Sequence, residues 1–590
     1  MKTIFTPIVF GALFVAFAAC ADDARTNSWL TTYSGKYARV YTNDAMKNVG
    51  NTLTNWSVGS TAQTNVAYCG IQEIYSSTNW VYVRSTGLAG YIMGPWYLNS
   101  ARTMMFPNLP TNQKLLYRFP RTNGVPATKT LTGGGQIGIF VDGVEMFNSW
   151  DAYTWSTVSN TDAQNISGYW NRDAYINEGV TFDPGYAHQQ QGGTYHYHAN
   201  PIGLRYLLGD HVTYNSATKT YSEDTNTPTK HSPILAWTSD GYPVYGPYGY
   251  SNATNANSGI RRMISGYVLR DGTHGTENLT NVGRAHLPQW AVRLYSNISS
   301  NQTGAPFTGI HTNGCYMEDK DYLGDCFNSN TGTNYQQSVD FDLDEYNGRF
   351  CVTPEFPGGT YAYFVAITSN GAPQFPYNIG RAFRGSPVGG TVSAISETVV
   401  TNFFGNTNTI SEMNSPVVKN GSVTLSWSAL EGGSYQVEAT TNLADSSGWT
   451  VVQSGIKPSP NQITATNVNA ASLDKRFYRV GRSSVANFDS AGTTLFAIAA
   501  NAPGGSASRG QTVIITITLP SSPPNPPAGA PITSVTIGSI TASSSSYTTS
   551  GTVTALFTIP SNYTPTNSQN VTVQFNPNPQ YVLTGGFTIN

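Results

Sequence analysis

Charge is what this chain has least of. Charged side chains make up only 11% of the 590 residues, the formal net charge is −2, and no long run of Lys or Arg occurs anywhere. Nothing therefore supplies the phosphate-neutralising patch that nucleic acid demands, and the same lack argues against attachment to an anionic membrane through basic residues. Long apolar runs are missing too: after the N-terminal segment no stretch offers ~18 uninterrupted apolar residues, so no transmembrane helix is expected. Glu, Lys, Ala and Leu, the material of helical bundles, give way to Gly, Asn, Ser, Thr and Tyr, with 58 Gly and 36 Tyr. That mixture suits turn-rich β structure, and a mostly β fold is expected. The chain is also too long for one hydrophobic core, so it should be multidomain.

Cysteine is scarce as well, with five in all, and its meaning depends on the N-terminus. "MKTIFTPIVFGALFVAFAACADDARTNSW" places Lys2 before an apolar run to Ala18, then small residues, then Asp22 and Asp23. This reads as a secretory signal peptide over residues 1–21, and the mature protein is expected to be exported, to the extracellular space, periplasm or cell envelope. "ACA" fits ordinary cleavage after Ala21, whereas "FAAC" resembles a lipobox that would lipidate Cys20; Phe17 in place of the usual Leu favours ordinary cleavage. Cys69, Cys315, Cys326 and Cys351 then remain, an even number in an oxidising compartment. Cys315 and Cys326 bracket the polar loop "CYMEDKDYLGDC" and are expected to pair. A Cys69–Cys351 bond follows only by elimination, and Cys351 in "GRFCVTP" reads equally as a buried free thiol.

Residues 22–385 are rich in Tyr and Trp and hold all eight histidines. "IGIFVDGVEMF" alternates on both sides of Asp142-Gly143, the dipeptide of a type I′ hairpin turn, and "ILAWTSDGYPVYG" repeats the pattern around Asp240-Gly241. "GTYAYFVAI" is a further strand. Residues 22–125 read either as a separate β subdomain or as the first sheet of the same one. A linker is expected over 386–412. Beyond it, "SVTLSWSALEGGSYQVEATTNL" alternates Val423, Leu425 and Trp427, then Tyr435, Val437 and Ala439, which predicts a fibronectin type III-like β-sandwich over 413–484. A second, immunoglobulin-like sandwich is expected over 487–590. Neither module offers histidines, paired carboxylates or a nucleophile, so both point to spacing, display or glycan binding.

Against this background "AHQQQGGTYHYHANP" stands out, with His188, His196 and His198 in one short segment. On a strand His196 and His198 face one side, and Tyr195 and Tyr197 the other. A hairpin centred on Gly192 would set His188 opposite His196 and diagonal to His198. Three neutral imidazoles suit Zn²⁺ or copper and leave a position open for water or substrate; Mg²⁺ and Ca²⁺ would require oxygen ligands. The bland reading is three histidines packed and hydrogen-bonded separately in a Tyr-rich strand, or a metal that only staples the fold.

Other candidates carry less. His231 in "KHSPILAW" could swing toward the cluster or simply cap and pack. Asp240 could be a carboxylate ligand, although the turn before Gly241 already explains it. "DFDLDEYNGRF" offers Asp340, Asp342, Asp344 and Glu345, as a Ca²⁺ site, as a general base, or as a solvated strand edge. P-loop, Rossmann, HExxH and G-x-S-x-G motifs are all absent.

With these residues in hand the central region resembles the YHYH domain family, named for the tetrapeptide at Tyr195–His198. "IGIFVDGVEMFN", "GGTYHYHANP", "HSPILAWTSDGYPVYGPYGY", "RRMISGYVLRDG" and "LDEYNGRFCVTPEFPGGTYAYF" resemble the family's recurrent blocks in order, covering most of 130–370. The chain is similar in particular to long, exported, multidomain members from environmental bacteria such as Verrucomicrobia, in which fibronectin-like modules ending as "RFYRV" does are common. The resemblance implies an exported, metal-related domain and carries no assigned reaction. It matches His188, the His231-Ser232-Pro233 element and Asp240 to Gly246; the pair Cys315 and Cys326 departs from it.

The leading expectation is a transition-metal site of His188, His196 and His198. Its competitors are a metal-dependent extracellular hydrolase with a carboxylate such as Glu345 as base, an adhesion or carbohydrate-binding protein meeting glycans or a cell-surface partner, and a purely structural exported protein.

Overall fold

The computed structural model describes residues 24–404 apart from 33 and 60, and from 416 to 589 the strands with some of the turns between them. The expected signal peptide, with Cys20, lies outside the described residues. Strand accounts for 38% and helix for 9%, as the composition required. No helix among the described residues is long and apolar enough to cross a membrane.

Two sheets position the site. Their strands are β1 (Ile71–Ser76), β2 (Trp80–Ser85), β3 (Leu115–Pro120), β4 (Gln136–Phe140), β5 (Glu145–Phe147), β6 (Ala187–Gln189), β7 (Tyr195–Tyr197), β8 (Ile234–Thr238), β9 (Pro243–Tyr245), β10 (Gly348–Cys351), β11 (Thr360–Phe364), β12 (Gly390–Thr391) and β13 (Val400–Phe404). The larger sheet runs β6-β7-β5-β4-β8-β9-β11-β10, and the smaller β12-β3-β2-β1-β13. One continuous core joins them, with Val83, Tyr117 and Phe119 of the smaller sheet packed in the same cluster as Ile139, Trp237, Val244 and Tyr363 of the larger. The strands between Ile71 and Pro120 therefore share their core with the larger sheet. Residues 390–404, inside the expected linker, add β12 and β13 to the edges of that sheet.

The Asp-Gly hairpins form where expected, but with a different turn. A type I′ turn needs positive φ at both central residues, and only Gly143 (81°) and Gly241 (77°) have it. Gly143 N–H donates to Phe140 O and Phe140 N–H to Val144 O, the pattern of a three-residue loop ending in a left-handed glycine. Gly241 repeats it with Thr238 and Tyr242. The longer loop leaves Asp142 in ordinary φ, where its Oδ1 accepts the Val144 N–H at 3.2 Å.

Toward the C-terminus, strands between 417 and 484 form two three-stranded sheets and strands between 494 and 589 a four- and a five-stranded sheet. Val423, Leu425 and Trp427 meet Tyr435, Val437 and Val480 of the facing sheet, as their alternation predicts. The second pair closes on a separate core that includes Val513, Val535 and Val571.

The expected disulfides are a correction. Cys69, Cys315, Cys326 and Cys351 are all free and buried. Cys315 packs beside Trp170, Tyr316 and Met317, while the Cys326 thiol donates to Tyr322 O at 3.5 Å. The intervening loop needs no covalent staple. It folds as two 3-10 turns around a strand, Lys320–Tyr322, that pairs with Tyr267–Leu269, and Lys320 Nζ reaches Asp173 Oδ2 at 2.7 Å.

Candidate metal centre

The histidine hairpin forms in the expected register. His188 pairs with His196, Ala187 with Tyr197 and Gln189 with Tyr195. Its loop is the same three-residue type: Gly193 has φ 80° and donates to Gln190 O, while Gln190 N–H donates to Thr194 O. β7 then runs parallel to β5, which brings Phe147 against the His196 ring at 3.9 Å.

The three imidazoles converge on one point. His188 Nε2 lies 3.1 Å from His196 Nε2, which lies 3.0 Å from His198 Nε2, and the ligand atoms of all three fall within 4.8 Å of one another. The opposite ring nitrogens fix the tautomers. His196 Nδ1 faces Thr194 O at 3.0 Å and His198 Nδ1 faces Asn148 O at 2.6 Å; a carbonyl only accepts, so both Nδ1 atoms carry the hydrogen. Thr181 Oγ1 spends its own hydrogen on Glu178 O at 2.7 Å and so accepts from His188 Nδ1, also at 2.7 Å. All three Nε2 atoms therefore turn bare lone pairs toward each other. Burial holds His188 and His196 well below the usual histidine range, with the neighbouring imidazoles adding to it, and holds His198 at about 4. Protons are thus excluded from a place where three neutral donor atoms point at one another, and a cation there would be met by all three. Nδ1–H donation to oxygen is also how metal-ligating histidines are commonly oriented. The donor set fits a transition metal.

Glu178 completes the mouth. It ends a short helix, Ala174–Glu178, started by Asp173, whose Oδ1 accepts the Ile176 N–H at 3.2 Å. Its Oε2 lies 3.4 Å from His198 Nε2 and 3.8 Å from His188 Nε2. Burial, with Asp151 adding to it, pushes the Glu178 carboxyl up to about 8. In front of these groups opens a cavity of about 480 Å³, walled by Phe106, Phe147 and Trp150.

On the reverse face the motif's tyrosines anchor the strand. Tyr195 OH lies 2.5 Å from Asp183 Oδ2 and Tyr197 OH 3.0 Å from Asp142 Oδ2, and Tyr91 OH sits 2.8 Å from both phenols.

The remaining sequence candidates fall elsewhere. His231 packs on Tyr245 and Tyr250 with Nδ1 on Ser232 O, in the other half of the sheet. Asp240 is bound by Thr238, Tyr363 and the Gly385 N–H. Asp344 takes Tyr361 OH and the N–H groups of Tyr346 and Gly348. Glu345 pairs with Arg293 at 2.9 Å, and Asp342 with Arg261. None of these lines the cavity. The groups that sequence reasoning missed, Glu178 and Thr181, stand just upstream of His188 at a helix end.

A β-sheet domain with three inward-facing histidines at an open cavity belongs, by its site, with metal-compatible proteins. Residues 116–376 match the model of a family described as YHYH protein, so over that span the chain is similar to the family its tetrapeptide suggested. No curated protein and no solved structure matches.

Proposed function

We propose that this domain binds one transition-metal ion, Zn²⁺ or copper, through Nε2 of His188, His196 and His198. The observation that carries it is the tautomer pattern: three buried rings whose Nδ1 hydrogens are committed and whose bare Nε2 atoms meet at 3.0 and 3.1 Å. An all-imidazole set suits those ions rather than Mg²⁺ or Ca²⁺. Elemental analysis of purified wild type beside His196→Ala and His198→Ala tests it. About one equivalent in the wild type and almost none in the variants is expected; equal content in all three, or none in any after loading, defeats it.

One observation favours a second reading, metal-dependent hydrolysis. Glu178 stands where the sequence reading had placed Glu345, with a carboxylate oxygen at the edge of the histidine cluster and facing the cavity. A bound ion of this type supplies Lewis acidity; the chain's own part is to hold and move a proton at Glu178 Oε2, as acid below about pH 8 and as base above it, and to hold a substrate against Phe106 and Trp150. Glu178→Gln should keep the metal and lose turnover of an ester and peptide panel. A hydrolytic wild type whose rate survives that change sinks this reading.

Export is the setting we propose, supported by the sequence of residues 1–21, with the C-terminal sandwiches as spacers or as the part that meets a glycan or cell surface.

A further inference from the structure

The larger sheet reads the same from both ends. From its left edge, β6 pairs antiparallel with β7, β7 parallel with β5, and β5 antiparallel with β4. From its right edge, β10 pairs antiparallel with β11, β11 parallel with β9, and β9 antiparallel with β8. The halves meet where Ile139 faces Trp237, with Gly138 opposite Thr238 and Phe140 opposite Ala236. If β4 is laid on β8 by the two Asp-Gly turns, Ile139 corresponds to Trp237 and pairs with it, while Gly138 and Phe140 each pair with the other's counterpart. That register is what a half-turn axis through the sheet requires.

Side chains follow the same operation. Asp142 meets Tyr197 OH and its counterpart Asp240 meets Tyr363 OH, at 3.0 and 2.6 Å. Asp183 meets Tyr195 OH and Asp344 meets Tyr361 OH, at 2.5 and 2.8 Å. Both of these aspartates open the same turn, closed by a left-handed Tyr186 (70°) in one half and Asn347 (65°) in the other. "GGTYHYH" at 192–198 and "GGTYAYF" at 358–364 occupy equivalent places, each with a left-handed second glycine, Gly193 and Gly359. His188, His196 and His198 then fall on Arg349, Ala362 and Phe364. The register confirms the placing: His188 faces His196 as Arg349 faces Ala362.

Arg349 is itself buried, opposite the small Ala362. Its guanidinium lies 5.4 Å from the centre of the Phe364 ring, and Nη2 donates to Tyr250 O at 2.7 Å. The hairpin of Tyr248–Tyr250 with Ile260–Arg262 closes over it. The first half has its open cavity at the corresponding place.

Resting on the metal reading above, we infer that the sheet is two copies of one four-strand unit, and that the second copy is a lapsed metal centre in which the Arg349 guanidinium fills the space the first copy keeps for a cation. The second copy shows that the scaffold stands without a metal.

The test is to restore the ligands. Arg349→His, Ala362→His and Phe364→His together exchange a large–small pair for two medium side chains and conserve an aromatic ring. Full-length protein purified from zinc-supplemented culture is assayed for metal per chain. A rise from about one equivalent in the wild type to about two supports the inference. A folded triple variant that stays at one overturns it while leaving the first site intact. No metal in the wild type, whatever the variant holds, sinks the metal reading and the inference with it. If the variant fails to fold, a crystal structure of the wild type decides: residues 136–147, 187–189 and 195–197 should superpose on 234–245, 348–350 and 361–363 after a single half-turn, and failure to do so overturns the duplication.

Discussion

The buried chain of hydroxyls behind the histidines holds one proton more than its ionised form allows. Asp183, Tyr195, Tyr91, Tyr197 and Asp142 are joined by consecutive contacts of 2.5, 2.8, 2.8 and 3.0 Å. Three phenol hydrogens cannot fill four hydrogen bonds, so one carboxyl must be protonated. Asp183 accepts the N–H groups of Gly94 and Gly185, both at 2.8 Å, which favours its charged form. Burial pushes Asp183 up to about 6 and Asp142 further, to about 7, so the proton belongs on Asp142. A carboxyl that moves from 3.8 to about 7 on folding holds its proton more tightly by about 4 kcal/mol. The folded state then binds more protons than the unfolded one between those values. Stability on this account is full below about pH 4, falls as pH rises, and is lost once pH passes about 7. Asn at this position can keep Oδ1 on the Val144 N–H and donate from Nδ2 to Tyr197 at every pH. The stability of Asp142→Asn relative to wild type should therefore climb by up to about 4 kcal/mol between pH 4 and pH 8. Urea unfolding of both proteins across that range measures it, and groups common to both cancel. A difference that stays flat, or that turns against the variant at high pH, refutes the proton count.

Three other outcomes are expected. Thr181→Val removes the acceptor of the His188 Nδ1 hydrogen and should weaken metal binding by about 10- to 100-fold in a chelator competition; an unchanged affinity would show that Thr181 does not orient the ring. Gly143→Ala must place a Cβ 2.1 Å from Ser85 Oγ at φ 81°, costing upwards of about 2 kcal/mol in denaturation, whereas Gly192→Ala meets nothing within 4 Å and should stay within about 0.5 kcal/mol. Cys69, Cys315, Cys326 and Cys351 should resist a thiol reagent in the native protein and all react after unfolding without reductant; thiols that appear only with reductant would restore the disulfides.

Much of the site was legible because strand alternation is a local rule. The period of two separated His196 and His198 from Tyr195 and Tyr197, and Gly192 at the midpoint set the register of His188. The hairpins at Asp142 and Asp240 were legible for the same reason. The turn type was not, because Asp142 answers to Tyr197, far away in sequence, as well as to its own backbone. Glu178 escaped because its position depends on the helix Ala174–Glu178 being tied down by Asp173, which in turn is bound by Lys320 and Tyr377. Glu345 looked equivalent in sequence, but Arg293 holds it elsewhere. Cysteine spacing misled because proximity along a loop says nothing about a loop already pinned by strand pairing.

The tyrosines under the histidines have a consequence for how the ligands come to be in place. Two phenols clamped to Asp183 and Asp142 pin the strand from behind, while Phe147 and three hydrogen-bond acceptors hold the rings in front. The conformational entropy of gathering three ligands is thus lost once, during folding, and does not recur each time an ion arrives. Uptake should then be set by the rate at which ions diffuse into the cavity and shed their water, and the hairpin should look the same before and after.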